Sequence, residues 1–174
     1  MVSHRFAKPA SEMACGFDSH PFRLRMSIFY ETNNFIVESH GKPEIDRLDG
    51  GHIKISPKIE IIDRTELNPQ QAIELMRLTI VVGKAMVIGM KKQGIDIGRI
   101  NYQDNGNWNK SLHIHLYGRA INATQQKFGE PIIPGHKDNY LPLNEQDIFY
   151  IKEAIEEFFN KEEYSNLSWG LNQI

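Results

Sequence analysis

Two histidines, His113 and His115, stand two positions apart in a run of residues that alternates polar or ring-bearing side chains with aliphatic ones, 111 to 118. Such alternation is typical of a half-buried β-strand, whose side chains point to opposite faces in turn. Ser111 therefore shares one face with both histidines, and the aliphatic set faces the core. The two imidazoles are about 7 Å apart along the strand. They can titrate near neutral pH, and a neutral imidazole can act as a nucleophile.

A strand pair of histidines is also compatible with other roles. The two rings could bind zinc if a third ligand completed the site, and His52 or Glu60 could supply that ligand. They could also be ordinary solvated histidines. The residue types alone leave these alternatives open.

The bulk properties set limits on the class of protein. The chain has 174 residues, which predicts one ordinary domain, and residues 1–20, without hydrophobic periodicity, are expected to form a flexible arm before a domain over 21–174. The net charge of −2 gives no support for a nucleic-acid binder. There is a single cysteine and no continuous apolar run of membrane-spanning length. We expect a cytoplasmic protein that does not bind membranes.

The elements that must position the histidines can be predicted from periodicity. Apolar runs on either side of a turn predict a hairpin over 26–39, and further strands are expected over 52–56 and 97–102. Asn68, Pro69 and Gln71 form a strong helix start, and Gly94 ends that helix.

A second helix begins at Asn144 with Asp147. The strands on either side of 104–110 are joined by a short loop and must run antiparallel. The order of elements predicts an α+β fold with an antiparallel sheet, in which the long helix and the C-terminal helix pack on the strands.

Three segments, in this order, resemble the histidine-triad (HIT) family of nucleotide-binding proteins. They are Gly-His-Ile-Lys-Ile-Ser-Pro-Lys at 51–58, Leu-Asn-Pro at 67–69 before a long helix, and His-Ile-His-Leu-Tyr-Gly-Arg at 113–119. The family motif is His-φ-His-φ-His-φ-φ, where φ is apolar. The resemblance implies a five-stranded antiparallel sheet, a nucleotide ligand, and in many cases a homodimer.

The resemblance also implies roles for the histidines. His113 takes the central position, where the family's histidine attacks the α-phosphate and forms a nucleotidyl-histidine intermediate. His115 would donate to a phosphate oxygen, and His52 would lie beside the nucleophile and orient it. The first triad position is occupied by Ser111, whose hydroxyl cannot carry positive charge.

Substrate-binding residues follow from the same resemblance. The ribose-holding position falls near residues 38–40 and is assigned to Ser39. Asn101 and Asn105 are both candidates for the asparagine that contacts phosphate, and Lys110 could add a phosphate contact. Trp108 could stack on a base or pack over its loop.

Three hypotheses follow from these residues. The first is a nucleotidyl hydrolase or transferase that needs no cofactor and no metal. The second is a catalytically impaired nucleotide-binding module that has lost turnover with the histidine absent at Ser111. The third is a zinc-dependent hydrolase that uses the His-x-His pair. Arg119, just beyond the motif, is expected to be solvated.

Overall fold

The computed structural model describes residues 27–104, 106, 109–133, 135 and 137–171. The predicted N-terminal arm, 1–20, lies outside these residues. Five strands form one antiparallel sheet, in the order β1-β2-β3-β5-β4. The strands are β1 (Ser27–Glu31), β2 (Phe35–Ser39), β3 (His52–Pro57), β4 (Ile97–Gln103) and β5 (Ile114–Ala120). The predicted hairpin is confirmed as β1 and β2, and the predicted antiparallel pairing as β4 and β5.

Two α-helices, α1 (Pro69–Lys92) and α2 (Glu145–Phe159), complete the predicted α+β fold. Both begin with the capping box that the sequence indicates. The Asn68 side chain accepts from the Gln71 backbone N–H while the Gln71 side chain accepts from the Asn68 N–H, and Asn144 and Asp147 form the same pair. These reciprocal bonds satisfy amides that the first turn of a helix leaves free.

The hydrophobic core lies between the helices and one face of the sheet. The aliphatic set of the histidine run is buried as predicted, with Leu112, Ile114 and Leu116 each at most 6% exposed. The two helices cross closely at Gly89, where a Cβ atom would lie 2.9 Å from the backbone nitrogen of Ile151. A larger residue at Gly89 would force the helices apart.

The histidine run enters the sheet later than its alternation predicts. Strand β5 begins at Ile114, so Ser111 and His113 precede it. The reason lies in the backbone bonds, because the Leu112 N–H donates to the Ile61 carbonyl at 2.7 Å, beyond the end of β3. This contact holds the segment against the sheet while leaving it outside the regular ladder.

Two long connections, 40–51 and the described residues of 121–143, pack against the sheet and against each other. The Asp49 carboxylate accepts backbone N–H groups from Thr124, Gln125 and Gln126 at 2.8 to 2.9 Å, which fixes one connection to the other. Where the 40–51 connection enters β3, Gly118 of β5 lies against Gly50, and a Cβ atom on Gly118 would clash with the Gly50 carbonyl. Among the described residues, no helix is both long and apolar enough to cross a membrane.

Candidate active site

The face of the sheet that points away from the helices carries a cluster of imidazole rings. Strand register pairs His52 of β3 with Tyr117 of β5, and Lys54 with His115. On the other side of β5, Gln103 pairs with His115. Because directly paired residues of neighbouring strands share a face, these side chains surround His115. His113 reaches the same cluster, with its ring centroid 4.7 Å from that of His115 and the two rings nearly perpendicular.

A backbone carbonyl fixes the protonation of His113. His113 Nδ1 lies 2.7 Å from the Ser111 carbonyl oxygen. A carbonyl oxygen can only accept a hydrogen bond, so Nδ1 carries the proton. In the neutral ring, Nε2 then presents its lone pair, which is the form that a nucleophilic histidine requires.

A second set of bonds fixes His115 in a complementary form. The Glu44 backbone N–H donates to His52 Nδ1 at 3.2 Å, so the proton of the neutral His52 ring is on Nε2. His52 Nε2 lies 2.7 Å from His115 Nδ1 and donates to it. The His115 proton is therefore on Nε2, where it is available to a ligand. We call the series from Glu44 through His52 to His115 the histidine chain.

The surroundings keep the imidazole rings of His52 and His115 neutral. Burial lowers the pKa of His52 well below its usual range, and the neighbouring His40, His115 and Lys54 add to the effect. Burial, together with His113, His40 and Lys54, lowers the pKa of His115 to about 3. Both rings are therefore neutral at pH 7, as the hydrogen-bond assignment requires.

The structure modifies the role expected for His52. Its hydrogen bond is to His115, and not to the nucleophile candidate His113 beside which it was expected. Its ring instead stacks on His40, with the centroids 4.6 Å apart and the planes within 6°. His52 can therefore orient the nucleophile only through His115.

Sequence reasoning gave no role to His40, Glu44 or Tyr117. The β2–β3 backbone bond from the His40 N–H to the His52 carbonyl places the two rings side by side. The Tyr117 ring lies parallel to His115, with centroids 5.5 Å apart, and its hydroxyl donates to the Glu44 carboxylate. Tyr117 could have been found from strand parity, because it follows His113 and His115 at the same spacing of two.

The predicted substrate-binding residues have different outcomes. Asn105 and Trp108 lie outside the described residues. Lys110 is exposed just before Ser111, so it remains available to a ligand. Ser39 is buried and pairs with the core residue Ile53, so it lies on the helix side of the sheet and not with the histidines. Its assignment as a site residue is therefore wrong.

On the histidine side, the positions flanking Ser39 are occupied by His40 and Glu38. Glu38 is buried and forms an ion pair with Lys54 at 2.5 Å. Glu38 therefore places an acidic side chain on the histidine face, one residue before the position assigned to ribose binding.

Asn101 pairs with Tyr117, two positions further from His113 than Gln103 is, and its carboxamide oxygen accepts from Arg119 at 3.0 Å. Arg119 was expected to be solvated but is buried. Its guanidinium also donates to the carbonyls of Lys127 and Glu130 at 2.8 Å each. Arg119 therefore links Asn101 of β4 to the 121–143 connection and holds that connection on the sheet.

Among the residues that the structure describes, no group of three His, Cys, Asp or Glu side chains is arranged to hold a zinc ion. Of the two third ligands considered, His52 directs Nε2 at His115 and receives an N–H at Nδ1, and Glu60 is exposed.

Several solved structures with a similar architecture are histidine-triad proteins. A hypothetical histidine triad nucleotide-binding protein from Sulfolobus tokodaii matches with a TM-score of 0.55 and 19% identity, over 80% of this chain and 89% of that one. A histidine triad protein from Marinobacter aquaeolei gives 0.54 and 19%, over 76% and 87%. One from Sinorhizobium meliloti gives 0.53 and 21%, over 75% and 87%.

No protein-family model matches the sequence. No curated protein matches it either. The structural matches establish that the chain has a HIT-like fold, as the motif resemblance predicts.

Proposed function

We propose that this protein is a nucleotide-binding enzyme that hydrolyses or transfers a nucleotidyl group through a covalent intermediate on His113. The observation that carries the proposal is the pair of complementary ring forms. His113 Nδ1–H donates to the Ser111 carbonyl, so His113 Nε2 carries a lone pair. His115 Nδ1 accepts from His52, so His115 Nε2 carries a proton. A nucleophile and a hydrogen-bond donor thus stand on neighbouring rings.

The chemistry needs both groups. The lone pair of His113 Nε2 attacks the α-phosphorus, and the leaving group departs with the electron pair of its bond to phosphorus and takes a proton from solvent. His115 Nε2–H donates to a non-bridging oxygen, whose charge grows in the transition state. Water then attacks phosphorus and gives a proton to solvent, the P–N bond returns its electron pair to His113, and a nucleoside monophosphate is released. Phosphoryl-type transfer depends mainly on such positioning and charge stabilisation.

The substitution at the first triad position affects only part of this arrangement. The bond to His113 comes from the Ser111 backbone carbonyl, which any residue at that position supplies. What Ser111 lacks is an imidazole that could carry positive charge near the phosphate. We therefore expect turnover that is slow on simple nucleotide substrates.

The proposal is tested with adenosine 5′-phosphoramidate as substrate. His113→Ala should abolish AMP release while the protein keeps its circular dichroism spectrum. His115→Ala should lower kcat roughly 100-fold, the scale of one lost transition-state donor. Glu60→Ala is the control, because this exposed carboxylate is a zinc-ligand candidate and has no role in the proposed reaction.

Ser111 also favours a second function, that of a nucleotide-binding module without turnover. AMP binding in calorimetry, with no AMP release from the phosphoramidate by the wild-type protein, would support it. Activity that survives His113→Ala but is lost with a chelator would contradict both functions and indicate a metal-dependent hydrolase.

We include a homodimer in the proposal. Strand β4 lies at the edge of the sheet, and within the described residues only β5 pairs with it. Tyr102 on this strand is 48% exposed. An edge strand with an exposed aromatic residue can pair with a second copy of the chain. Light scattering after size exclusion should give twice the chain mass, and a Tyr102→Lys variant should give the monomer mass.

A further inference from the structure

The histidine chain begins at a residue of the 40–51 connection. Glu44 supplies the backbone N–H that His52 Nδ1 accepts at 3.2 Å. A backbone N–H can only donate, so this single bond determines which nitrogen of His52 carries the proton. The direction of the His52–His115 bond follows from it.

Glu44 is held in place by contacts from three directions. The Tyr117 hydroxyl donates to its carboxylate. The Gly135 backbone N–H donates to the other carboxylate oxygen at 3.3 Å, and Gln126 Nε2 donates to the Glu44 carbonyl at 3.0 Å. The residue is therefore fixed both by the sheet and by the 121–143 connection.

Tyr117 contacts both Glu44 and the two rings of the histidine chain. Its side chain is only 1% exposed, and its ring lies parallel to His115 and 4.6 Å from the centroid of His52. Burial, together with the Glu44 carboxylate, raises the pKa of Tyr117, so the hydroxyl stays protonated and remains a donor. The histidine chain is thus held by packing against the Tyr117 ring as well as by the hydrogen bond from the Glu44 N–H.

Two directions are chemically possible for the bond between the imidazoles. In the first, His52 Nε2–H donates to His115 Nδ1, and His115 Nε2–H faces the ligand. In the second, His115 Nδ1–H donates to His52 Nε2, and His115 Nε2 presents a lone pair that would repel a phosphate oxygen. In a neutral His52, the second direction places a proton on Nδ1, where it would clash with the Glu44 N–H.

We propose that Glu44, locked by Tyr117, is a positioning residue that makes His115 Nε2 a hydrogen-bond donor toward the substrate. This inference rests on the proposed function for its catalytic consequence. The ring forms themselves are properties of the free protein and can be measured without any substrate.

The test is 15N NMR of the imidazole nitrogens in the full-length protein at pH 7.5. In the wild type, His52 and His115 should both be Nε2–H tautomers. Glu44→Ala removes the anchored carboxylate and Tyr117→Phe removes only the hydroxyl, and each should introduce the Nδ1–H form of His115. Tyr140→Phe is the matched control, because this buried tyrosine hydroxyl has no partner among the described residues.

Kinetics provide the second measurement. With the phosphoramidate, Glu44→Ala and Tyr117→Phe should lower kcat about tenfold with KM nearly unchanged, since the lost interaction is made in the transition state. Glu44→Gln keeps an oxygen that can accept from Tyr117 and should restore most of the activity. Tyr140→Phe should change neither constant.

Two results would overturn the inference. One is a wild-type His115 in the Nδ1–H form. The other is a folded Glu44→Ala protein, judged by its amide spectrum, with unchanged tautomers and unchanged kcat. If the tautomers shift as expected but no turnover depends on His113, the positioning role stands and the proposed function fails.

Discussion

His52 Nε2 lies 2.7 Å from His115 Nδ1, and this bond joins strands β3 and β5 across the proposed active site. The two rings are 63 positions apart in the chain and are brought together by the antiparallel register, in which Lys54 pairs with His115 and His52 with Tyr117. Since His52 is 1% exposed, the bond is shielded from water. A shielded bond between two neutral rings has consequences for stability as well as for catalysis.

Stability should fall at acidic pH because of these two rings. Their pKa values in the folded protein are below the ordinary value of 6.5, and that of His115 is about 3. Between pH 6.5 and 3 the unfolded chain therefore binds more protons than the folded one, so the free energy of unfolding decreases as the pH is lowered through this window. Above pH 6.5 the two groups should add no pH dependence.

Thermal melts at pH 7.5, 6, 5 and 4 would measure this effect. The control is the His52→Gln/His115→Gln double variant, which keeps the carboxylate contributions and lacks the two titrating rings. The wild-type Tm should fall more steeply than that of the variant between pH 6.5 and 4. Parallel curves for the two proteins would contradict the assignment of neutral, buried rings.

Ser111→His should raise the activity. The substitution keeps the backbone carbonyl that bonds His113 Nδ1, and it adds an imidazole next to the reacting phosphate. We expect kcat for adenosine 5′-phosphoramidate to increase several-fold, while Ser111→Ala leaves it nearly unchanged. Equal rates for the histidine and alanine variants would show that the missing imidazole does not limit turnover.

Asp49→Asn should destabilise the connections that cover the sheet. The Asp49 carboxylate is buried and accepts three backbone N–H groups of the 121–143 connection. An amide provides one acceptor oxygen and turns an NH2 group toward the remaining donors, at a cost of about 2 to 4 kcal/mol. Urea unfolding measures the loss, with Asp96→Asn at an exposed position as the control. A loss under 0.5 kcal/mol would contradict this role.

Local signals in the sequence predicted much of the fold. The capping residues Asn68 and Asn144 define the helix starts, and the alternation around Ile114 defines the core face of β5. Each of these signals depends only on residues within three or four positions of one another, so it can be recognised in the sequence without knowledge of the rest of the fold. The HIT-like fold followed from the order of such elements together with the His113–His115 motif.

The parts that could not be predicted depend on register between distant strands. Ser39 was assigned to the site, but a strand has a period of two, so an error of one residue transfers a side chain to the other face. His40 and Glu44 reach the histidines from a long connection that has no periodicity. The partners of Arg119 are carbonyls of the 121–143 connection, which carries no pattern either.

The central claim is that His113 Nε2 forms a covalent bond to phosphorus. The most direct measurement is rapid acid-free quenching of the wild-type protein with adenosine 5′-phosphoramidate, followed by intact-mass and peptide mass spectrometry at alkaline pH, where a phosphoramidate persists. We predict an added adenylyl group on the peptide that contains His113, absent from His113→Ala and still formed by Glu60→Ala. AMP release by wild-type protein with no adduct at any time point, or an adduct that persists in His113→Ala, would contradict the account.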